Sequence, residues 1–276
     1  MLFNSLEFFI FFPAFSLTYF LLKGRARLIF CVLASYFFYG WWDWRFVSLL
    51  VISTSIDFVI GRHLAQEVRT AVRRMYLVGS LLVNLGILGA FKYFDFFALS
   101  FKSLADTLGF SPSPLLLNVI LPVGISFYTF QTLSYTIDIY RGTIKSAEPD
   151  FYRFAAYVAF FPQLVAGPIV RAAHLLPQMQ QDHVFDKAKA WRGCELVAWG
   201  FFLKLCLADN AAQVVDPRFL EPLVYNSLDH LIGIVCFAFQ IYGDFAGYSL
   251  IAIGLGRILG FDFGLNFNKP YFAASF

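Results

Sequence analysis

Apolar runs of nearly membrane-crossing length alternate with short polar loops along the first third of the chain. The runs cover residues 6–22, 28–42, 46–60 and 75–91. Runs of this kind predict helices that cross a bilayer. The second run ends in an aromatic cluster, residues 36–44, of the type found at the level of lipid headgroups. The pattern therefore predicts paired membrane helices joined by tight turns.

Basic residues are distributed unevenly between the loops. The first loop, residues 23–27, holds three Lys or Arg residues, the second loop one, the third four, and the fourth, residues 92–114, two. Loops rich in Lys and Arg stay on the cytoplasmic side of a membrane. The alternation predicts an N-terminus outside, the first and third loops in the cytoplasm, and a neutral linker after residue 91.

The longest uncharged run, residues 115–137, carries more hydrogen-bonding side chains than a lipid-facing helix would. Pro122 and Gly124 predict a break or kink within it. The polar side chains either join neighbouring helices, at about 0.6 kcal/mol per bond, or line a wet cavity. The candidates for such a lining are Ser126, Tyr128 and Gln131.

Residues 154–170 are apolar but contain Pro162, Gly167 and Pro168, and basic residues lie on both sides of them. A simple crossing would place the second basic group outside. A re-entrant segment, which enters and leaves on the cytoplasmic face, removes the conflict and requires burial in protein or a water-filled cavity. Arg171 follows directly and is a further candidate lining residue. Residues 191–208 are amphipathic and either lie in the interface or cross.

The last apolar stretch holds Gln240, Asp244 and Arg257. An ionised carboxylate at mid-bilayer costs about 2.5–3.5 kcal/mol and usually faces a cavity or a partner. Asp244 and Arg257 cannot pair along one helix, because their thirteen-residue spacing corresponds to a separation of roughly 20 Å. The pattern predicts a final pair of helices, residues 228–243 and 245–261. Small residues four apart predict close helix packing at Gly243 with Gly247 and at Gly256 with Gly260.

Composition supports a polytopic membrane protein. Hydrophobic residues make up 59% and charged residues 14% of the 276 positions, against about 45–50% and 25% in soluble domains. No cleavable signal peptide is indicated at the N-terminus, and nothing divides residues 1–276 into more than one membrane domain. Single cysteines in apolar sequence predict packing residues. His174 and His183 lack metal-ligand spacing, so no metal site is predicted. Neither a bound cofactor nor a nucleic-acid partner is expected.

A series of short motifs resembles the membrane-bound O-acyltransferase superfamily, in its bacterial polysaccharide O-acetylation branch. The motifs run in order along the whole chain, in segments 1–5, 36–42, 122–138, 160–168, 208–210, 240–249 and 266–271. The resemblance implies an all-α bundle of transmembrane helices with a re-entrant segment. It also implies transfer of an acetyl group, with acetyl-CoA as donor substrate, from the cytoplasm to an exported polysaccharide such as alginate.

The same resemblance implies partners and a location. A secreted or periplasmic acetyltransferase and the polysaccharide export machinery are the expected partners, and a bacterial inner membrane is the expected site. Gln240, Asp244 and Tyr248 are expected to line the transfer tunnel, and Asn268 lies in the last motif. The identity of the acceptor stays open among alginate, cellulose, another exopolysaccharide and peptidoglycan.

Two positions depart from the family pattern. Leu250 stands where relatives usually carry an acidic residue after the Gly-Tyr-Ser turn. The catalytic His of the family follows the segment at 266–271, in a Phe-Trp-x-x-Trp-His motif, and the chain ends at Phe276. None of the four histidines lies in such a motif, so we expect an incomplete bundle that is inactive by itself. A transporter, a channel or a non-catalytic membrane remnant is the alternative, although no inverted repeat supports a transporter.

Overall fold

The computed structural model describes residues 1–110, 113, 116, 120–165, 167–268 and 270–273. Throughout those residues the regular structure is helical, without a strand. Two π-helical turns, Gly89–Tyr93 and Phe202–Ala208, join α4 to α5 and α10 to α11. The helices are α1 Leu6–Leu21, α2 Gly24–Gly40, α3 Arg45–Gln66, α4 Thr70–Leu88, α5 Phe94–Thr107, α6 Ile125–Arg141, α7 Phe151–Ala159, α8 Phe161–Leu164, α9 Ala172–Met179, α10 Lys187–Phe201, α11 Asp209–Leu220 and α12 Ser227–Ile258.

Three of the described helices are long and apolar enough to cross a membrane: Arg45–Gln66, Thr70–Thr107 and Ser227–Ile258. The apolar helix α1 has 16 residues, about 24 Å of helix, and contains Pro13. The prediction of an all-α polytopic membrane protein is confirmed. The first four apolar runs all form helices, and α3 continues six residues beyond the predicted end at residue 60.

The neutral linker predicted after residue 91 is wrong over most of its length, because the helix continues to Thr107. Lys92, Asp95, Lys102 and Asp106 suggested a loop. At 100° per residue these four positions fall on one side of a helix. Their charges therefore mark the polar face of an amphipathic helix, and the apolar residues between them form the other face.

The crossing predicted for residues 115–137 is not a single helix. Residues 115 and 117–119 lie outside the described residues, and α6 begins only at Ile125. The predicted break at Pro122 and Gly124 is confirmed. Gly124 has φ of +76°, and a Cβ there would lie 2.6 Å from the carbonyl oxygen of Leu164. Only glycine allows both that backbone conformation and that close approach.

The prediction of a final pair of helices is also wrong, because residues 227–258 form one continuous helix, α12. The prediction left only Asp244 between the two helices. A break in a membrane helix exposes backbone N–H and C=O groups that lipid cannot hydrogen-bond. The Asp244 carboxylate instead has a partner on a neighbouring helix, Lys204. The amphipathic stretch 191–208 is likewise part of a longer helix, since α10, the π-turn and α11 follow one another without interruption.

The centre of the protein is the short, broken stretch α7–α8. All residues from Phe154 to Phe161 are fully buried. The ring of Phe161 contacts five phenylalanine rings of α1 and α2, at centroid distances of 4.9 to 6.4 Å: Phe8, Phe11, Phe12, Phe15 and Phe38. Phenylalanine rings therefore pack α1 and α2 around the broken stretch α7–α8.

A buried polar network joins α3, α4 and α6. Asn84 donates to Asp57 Oδ2 at 2.7 Å and accepts from Ser53 and Thr132 at 2.8 and 3.2 Å. Ser80 donates to Asp57 Oδ1 at 2.6 Å. Each of these side chains is at most 1% exposed. Three helices are thereby held in one register by bonds that lipid cannot replace.

Candidate functional site

The stretch from α7 to α9 enters and leaves the protein on one face. Residues before α7 and after α9 line the same cavity of about 140 Å³, which the first residues of α2 also line. Asp150 and Arg153 contribute from the beginning of α7, Asp182 from the segment after α9, and Arg25 from the first turn of α2. The basic loop predicted to be cytoplasmic and both ends of the stretch therefore meet at one surface. This geometry is that of the predicted re-entrant segment.

The break between α7 and α8 is stabilised by side-chain amides. The carbonyl oxygen of Tyr157 accepts hydrogen bonds from the Nε2 atoms of Gln131 and Gln163, each at 2.7 Å. The Tyr157 hydroxyl lies 3.1 Å from the Gln131 carbonyl oxygen and 3.2 Å from that of Val170. The last carbonyls of a helix need such partners when water is excluded. Gln131 and Gln163 supply them between α6 and the re-entrant segment.

A second polar group lies between α12 and the end of α10. Lys204 Nζ is 2.8 Å from Asp244 Oδ1 and 2.6 Å from Asp209 Oδ1. Its ammonium also lies over the Tyr248 ring, 5.5 Å from the centroid. The Lys204 side chain is 17% exposed, and the Asp244 side chain 47%. One cation thus holds two carboxylates and an aromatic face, and we call these four residues the Lys204 cluster.

The π-turn creates this arrangement. Asp209 donates its backbone N–H to the Lys204 carbonyl, five residues earlier, and this spacing places the two side chains on the same side of the helix. Single π-turns within α-helices occur often at functional sites. Asp209 belongs to the 208–210 motif and Asp244 to the 240–249 motif. The cluster therefore joins two motifs that are far apart in the sequence.

Close helix packing allows Lys204 to reach Asp244. A Cβ at Gly247 would lie 2.8 Å from the Gly200 carbonyl oxygen, and a Cβ at Gly243 would lie 3.0 Å from that of Leu203. The predicted packing role of Gly243 and Gly247 is confirmed. Gly256 instead contacts the Phe263 ring, and Gly260 lies beyond α12 with φ of +98°, so the prediction of helix packing for that second pair is wrong.

The predicted lining residues fall into two groups. Gln240, Asp244 and Tyr248 lie four residues apart on α12 and share one face. Gln240 Oε1 is buried and has no hydrogen-bond partner among the described residues. The Gln240 amide oxygen can therefore still accept a hydrogen bond, one helical turn from the Lys204–Asp244 ion pair. A role in lining a tunnel remains a prediction for all three.

The other candidates lie on α6 or at segment ends. Gln131 is buried against the re-entrant segment, and Tyr128 is 1% exposed. Ser126 Oγ lies 3.3 Å from the Lys92 ammonium. Arg171 is the exposed residue preceding α9, and Asn268 is exposed beyond α12. The Phe127 and Phe245 rings are 6.0 Å apart, so the beginning of α6 lies beside α12 at the Lys204 cluster.

Each of the four histidines contacts either a backbone carbonyl oxygen or an aromatic ring. His174, His183 and His230 each hold a backbone carbonyl oxygen through Nε2, at 2.8 to 3.0 Å. The His63 ring stacks on Tyr76 at 5.6 Å. Burial lowers the pKa of His183 below its ordinary value. None of the four contacts the Lys204 cluster through these bonds or rings.

Lys204 is the residue that sequence reasoning missed. It lies in the amphipathic stretch 191–208, and the sequence does not show the pair because its partner Asp244 lies forty residues further along the chain. The available signal was local: a lysine five residues before the aspartate of the 208–210 motif. Without the π-turn that spacing would place the two side chains on different faces of the helix.

Comparison with known proteins gives relatives along the whole chain. A probable alginate O-acetylase, AlgI, of Pseudomonas aeruginosa is 38% identical over 278 residues, covering 100% of this chain and 52% of its own length. A peptidoglycan O-acetyltransferase of Helicobacter pylori is 32% identical, covering 98% of this chain and 56% of its own length. A teichoic acid D-alanyltransferase of Bacillus subtilis is 28% identical over 56% of this chain. No family model matches. The chain spans about half the length of the curated relatives it matches.

Proposed function

The chain belongs to the membrane-bound O-acyltransferase superfamily, and from this we propose that it serves the O-acetylation of an exported polysaccharide. The acetyl group comes from a cytoplasmic donor, acetyl-CoA, and crosses the membrane within the protein. Relatives named for alginate and for peptidoglycan support a saccharide acceptor. Because the chain covers about half the length of those relatives, their whole activity is a proposal for this protein.

The observation that carries the proposal is the Lys204 cluster. Charged groups within membrane helices are costly and usually face a water-filled cavity or a partner. Asp244 is nearly half exposed and Asp209 is 42% exposed, so lipid is an unsuitable neighbour for this surface. Lys204 lies about 25 Å along the helix from Lys187, at about 1.5 Å per residue. Asp244 lies about 25 Å from the beginning of α12, a helix long and apolar enough to cross a membrane. In this proposal the cluster therefore supplies polar groups to the middle of the transfer route.

The residues have separate roles in this proposal. A general base removes the proton from an acceptor hydroxyl, the oxygen attacks the acetyl carbonyl carbon, and the thiol of the donor leaves. Lys204 and Asp244 keep the passage polar, and the unpartnered Gln240 Oε1 accepts a hydrogen bond from a hydroxyl of the acceptor. Correct positioning of the reactants supplies much of the rate. We assign the base to none of His63, His174, His183 or His230.

The proposed setting is a bacterial inner membrane with the N-terminus outside. The basic loop at residues 23–27 and both ends of the re-entrant segment meet at one surface, which supports a cytoplasmic assignment for that face. A periplasmic acetyltransferase that passes the acetyl group on, and the polysaccharide export machinery, are the proposed partners. The bilayer itself is the partner that the apolar helices require.

The test is a gene deletion with complementation. The readout is ester-linked acetyl per sugar residue in the exported polysaccharide, with the protein level measured by immunoblot. Deletion should abolish the acetyl esters and the wild-type gene should restore them. Asp244→Asn should lower them at least tenfold, whereas Asp106→Asn, on the exposed polar face of α5, should not. Unchanged acetylation after deletion would refute the function, and full activity of Asp244→Asn at normal protein level would refute the role of the cluster.

A further inference from the structure

The cavity at which both ends of the re-entrant segment meet lies at one end of an apolar helix. It measures about 140 Å³, and its lining includes Tyr19, near the end of α1, and Gly24, the first residue of α2. The polar residues that follow an apolar membrane helix lie at the edge of the hydrocarbon layer. The cavity is therefore within reach of phospholipid headgroups.

Two arginines of the lining are held in place without using all their donors. The Arg27 side chain is 6% exposed. It donates to the carbonyl oxygens of Leu22 and His183 through Nε and Nη1, at 2.8 and 3.0 Å, and neither bond uses Nη2. Arg25 is exposed, lies over the Tyr152 ring at 5.3 Å and forms no ion pair with a described side chain. Guanidinium groups of this kind bind phosphate oxygens well.

Two carboxylates line the same cavity. Asp182 Oδ1 lies 3.5 Å from Arg27 Nη1 and accepts from the Gly24 backbone N–H at 3.1 Å. Asp150 Oδ1 accepts from the Tyr152 backbone N–H at 2.8 Å, at the beginning of α7, and Asp150 pairs with no cation among the described residues. The Oδ2 atom of each aspartate takes part in none of these bonds. Both carboxylates can therefore accept hydrogen bonds from an ammonium group.

The balance of charge decides which ligand fits. Among the described residues, the lining contains three arginines and two aspartates. Arg153 is already paired with Glu148, at 2.7 Å, so the other two arginines balance the two aspartates. An anion alone would meet repulsion from the carboxylates, and a cation alone would meet repulsion from the guanidinium groups. A ligand with a phosphate and a nearby primary ammonium matches both pairs.

An apolar surface lies beside the cavity. Leu17 and Leu21 of α1, and Val184 and Phe185 from the segment after α9, are each more than half exposed. The Phe185 ring contacts the Phe20 ring at 5.5 Å, so the two groups are neighbours. Acyl chains cover a surface of this kind. A soluble zwitterion would make no use of it, and the surface therefore favours a lipid as the source of the headgroup.

We propose that this cavity binds the headgroup of phosphatidylethanolamine. The phosphate lies against Arg25 and Arg27, and the ammonium donates to Asp150 and Asp182. The lining comes from α2, from the beginning of α7 and from the segment after α9, so one bound lipid stabilises the junction of the re-entrant segment with the first two helices. A choline headgroup has no N–H to donate, and a glycerol headgroup carries no positive charge. The inference does not depend on the proposed function, because it concerns a lipid and not the reaction.

The test measures lipid binding to the encoded protein, purified in dodecyl maltoside and depleted of lipid. The probes are dioleoyl phosphatidylethanolamine, phosphatidylcholine and phosphatidylglycerol, and the readouts are native mass spectrometry and thermal melting. Phosphatidylethanolamine should bind about tenfold more tightly than the other two, because it alone makes charge-assisted hydrogen bonds with both pairs. Arg25→Gln should weaken its binding about tenfold. Arg74→Gln, a matched change at an exposed arginine of α4 outside the lining, should leave it unchanged.

A second variant tests the carboxylate side. Asp150→Asn removes the charge but keeps an oxygen that caps α7, so the fold should persist. This variant should lower the preference for phosphatidylethanolamine over phosphatidylglycerol. Soluble O-phosphorylethanolamine should bind far more weakly than the whole lipid, because it lacks the acyl chains.

Four results would overturn the inference. If the three lipids bind alike, the charges of the cavity pair only with one another, and if phosphatidylglycerol binds most tightly, the site takes an anionic headgroup. Equal effects of Arg25→Gln and Arg74→Gln would place the lipid elsewhere. Equally tight binding of soluble O-phosphorylethanolamine would remove the membrane as the source. The proposed function is judged separately, because loss of acetyl esters on gene deletion is measured without reference to this cavity.

Discussion

The crossing of α10 and α12 yields a quantitative prediction. The two helices run antiparallel, with Gly193 opposite Gly254 and Gly200 opposite Gly247. A Cβ built on Gly254 would lie 2.5 Å from the Gly193 carbonyl oxygen, about 1 Å inside an ordinary contact between heavy atoms. The obstacle is backbone and cannot rotate away. The helices must separate, and overpacking of this kind costs about 1–3 kcal/mol.

The control is a glycine in open space on another helix. A Cβ at Gly79 meets nothing within 4 Å, so Gly79→Ala should gain about 1 kcal/mol from helix propensity alone. Gly254→Ala receives the same gain, and the difference between the two variants therefore reports the crossing. We expect Gly254→Ala to be about 1–3 kcal/mol less stable than Gly79→Ala.

The assay is unfolding of the purified protein in mixed micelles, by titration with a denaturing detergent and by thermal melting, followed by circular dichroism. Gly247→Ala adds a second observation, because its Cβ would also lie 3.1 Å from the Lys204 backbone nitrogen. That variant should disturb the Lys204 cluster as well as stability. If Gly254→Ala is as stable as Gly79→Ala or more so, the close crossing does not exist as described.

Two further predictions concern the polar interior and pH. Asn84→Ala should destabilise by at least about 2 kcal/mol in the same assay, because it removes three interhelical bonds and leaves Asp57 short of a donor, whereas Thr132→Val should cost about 0.6 kcal/mol. If Asn84→Ala and Thr132→Val lose equal stability, Asn84 is not the residue that joins the three helices. For His183, burial lowers the folded-state pKa, so the unfolded state binds more protons below the ordinary pKa of about 6.5. Stability should therefore fall as pH drops through that value, and His183→Gln, which keeps the bond to Gln178, should show a flatter melting profile between pH 7.5 and 5.5. If the melting temperature depends equally on pH in the wild type and in His183→Gln, the pH dependence does not come from His183.

Much of the helical framework could be predicted from local sequence. The apolar runs at 6–22, 28–42 and 46–60 form α1 to α3, because a membrane-spanning helix satisfies its own backbone and needs only a long enough apolar run. The break before α6 was visible at Pro122 and Gly124. The re-entrant segment followed from charge placement, because the energetic cost of moving basic loops across a membrane depends on sequence alone.

Errors arose where a local pattern allowed two structures. Charged residues after position 91 suggested a linker, and only the helical register places them on one face of α5. Asp244 suggested a break between two helices, and the structure instead supplies Lys204 as its partner. A carboxylate in an apolar run is costly only while it lacks a partner, and the sequence does not show the partner.

By itself the sequence determined that this is an all-α membrane protein of the O-acyltransferase superfamily with a re-entrant segment, since hydropathy, charge placement and ordered motifs are properties of the linear chain. Only the tertiary structure decided that the motifs at 208–210 and 240–249 meet at Lys204, and that the beginning of α2 and both ends of the re-entrant segment enclose one cavity. Ion pairs and cavities depend on atoms brought within a few ångströms from distant positions. That proximity comes from packing, here from glycines that let two helix backbones touch.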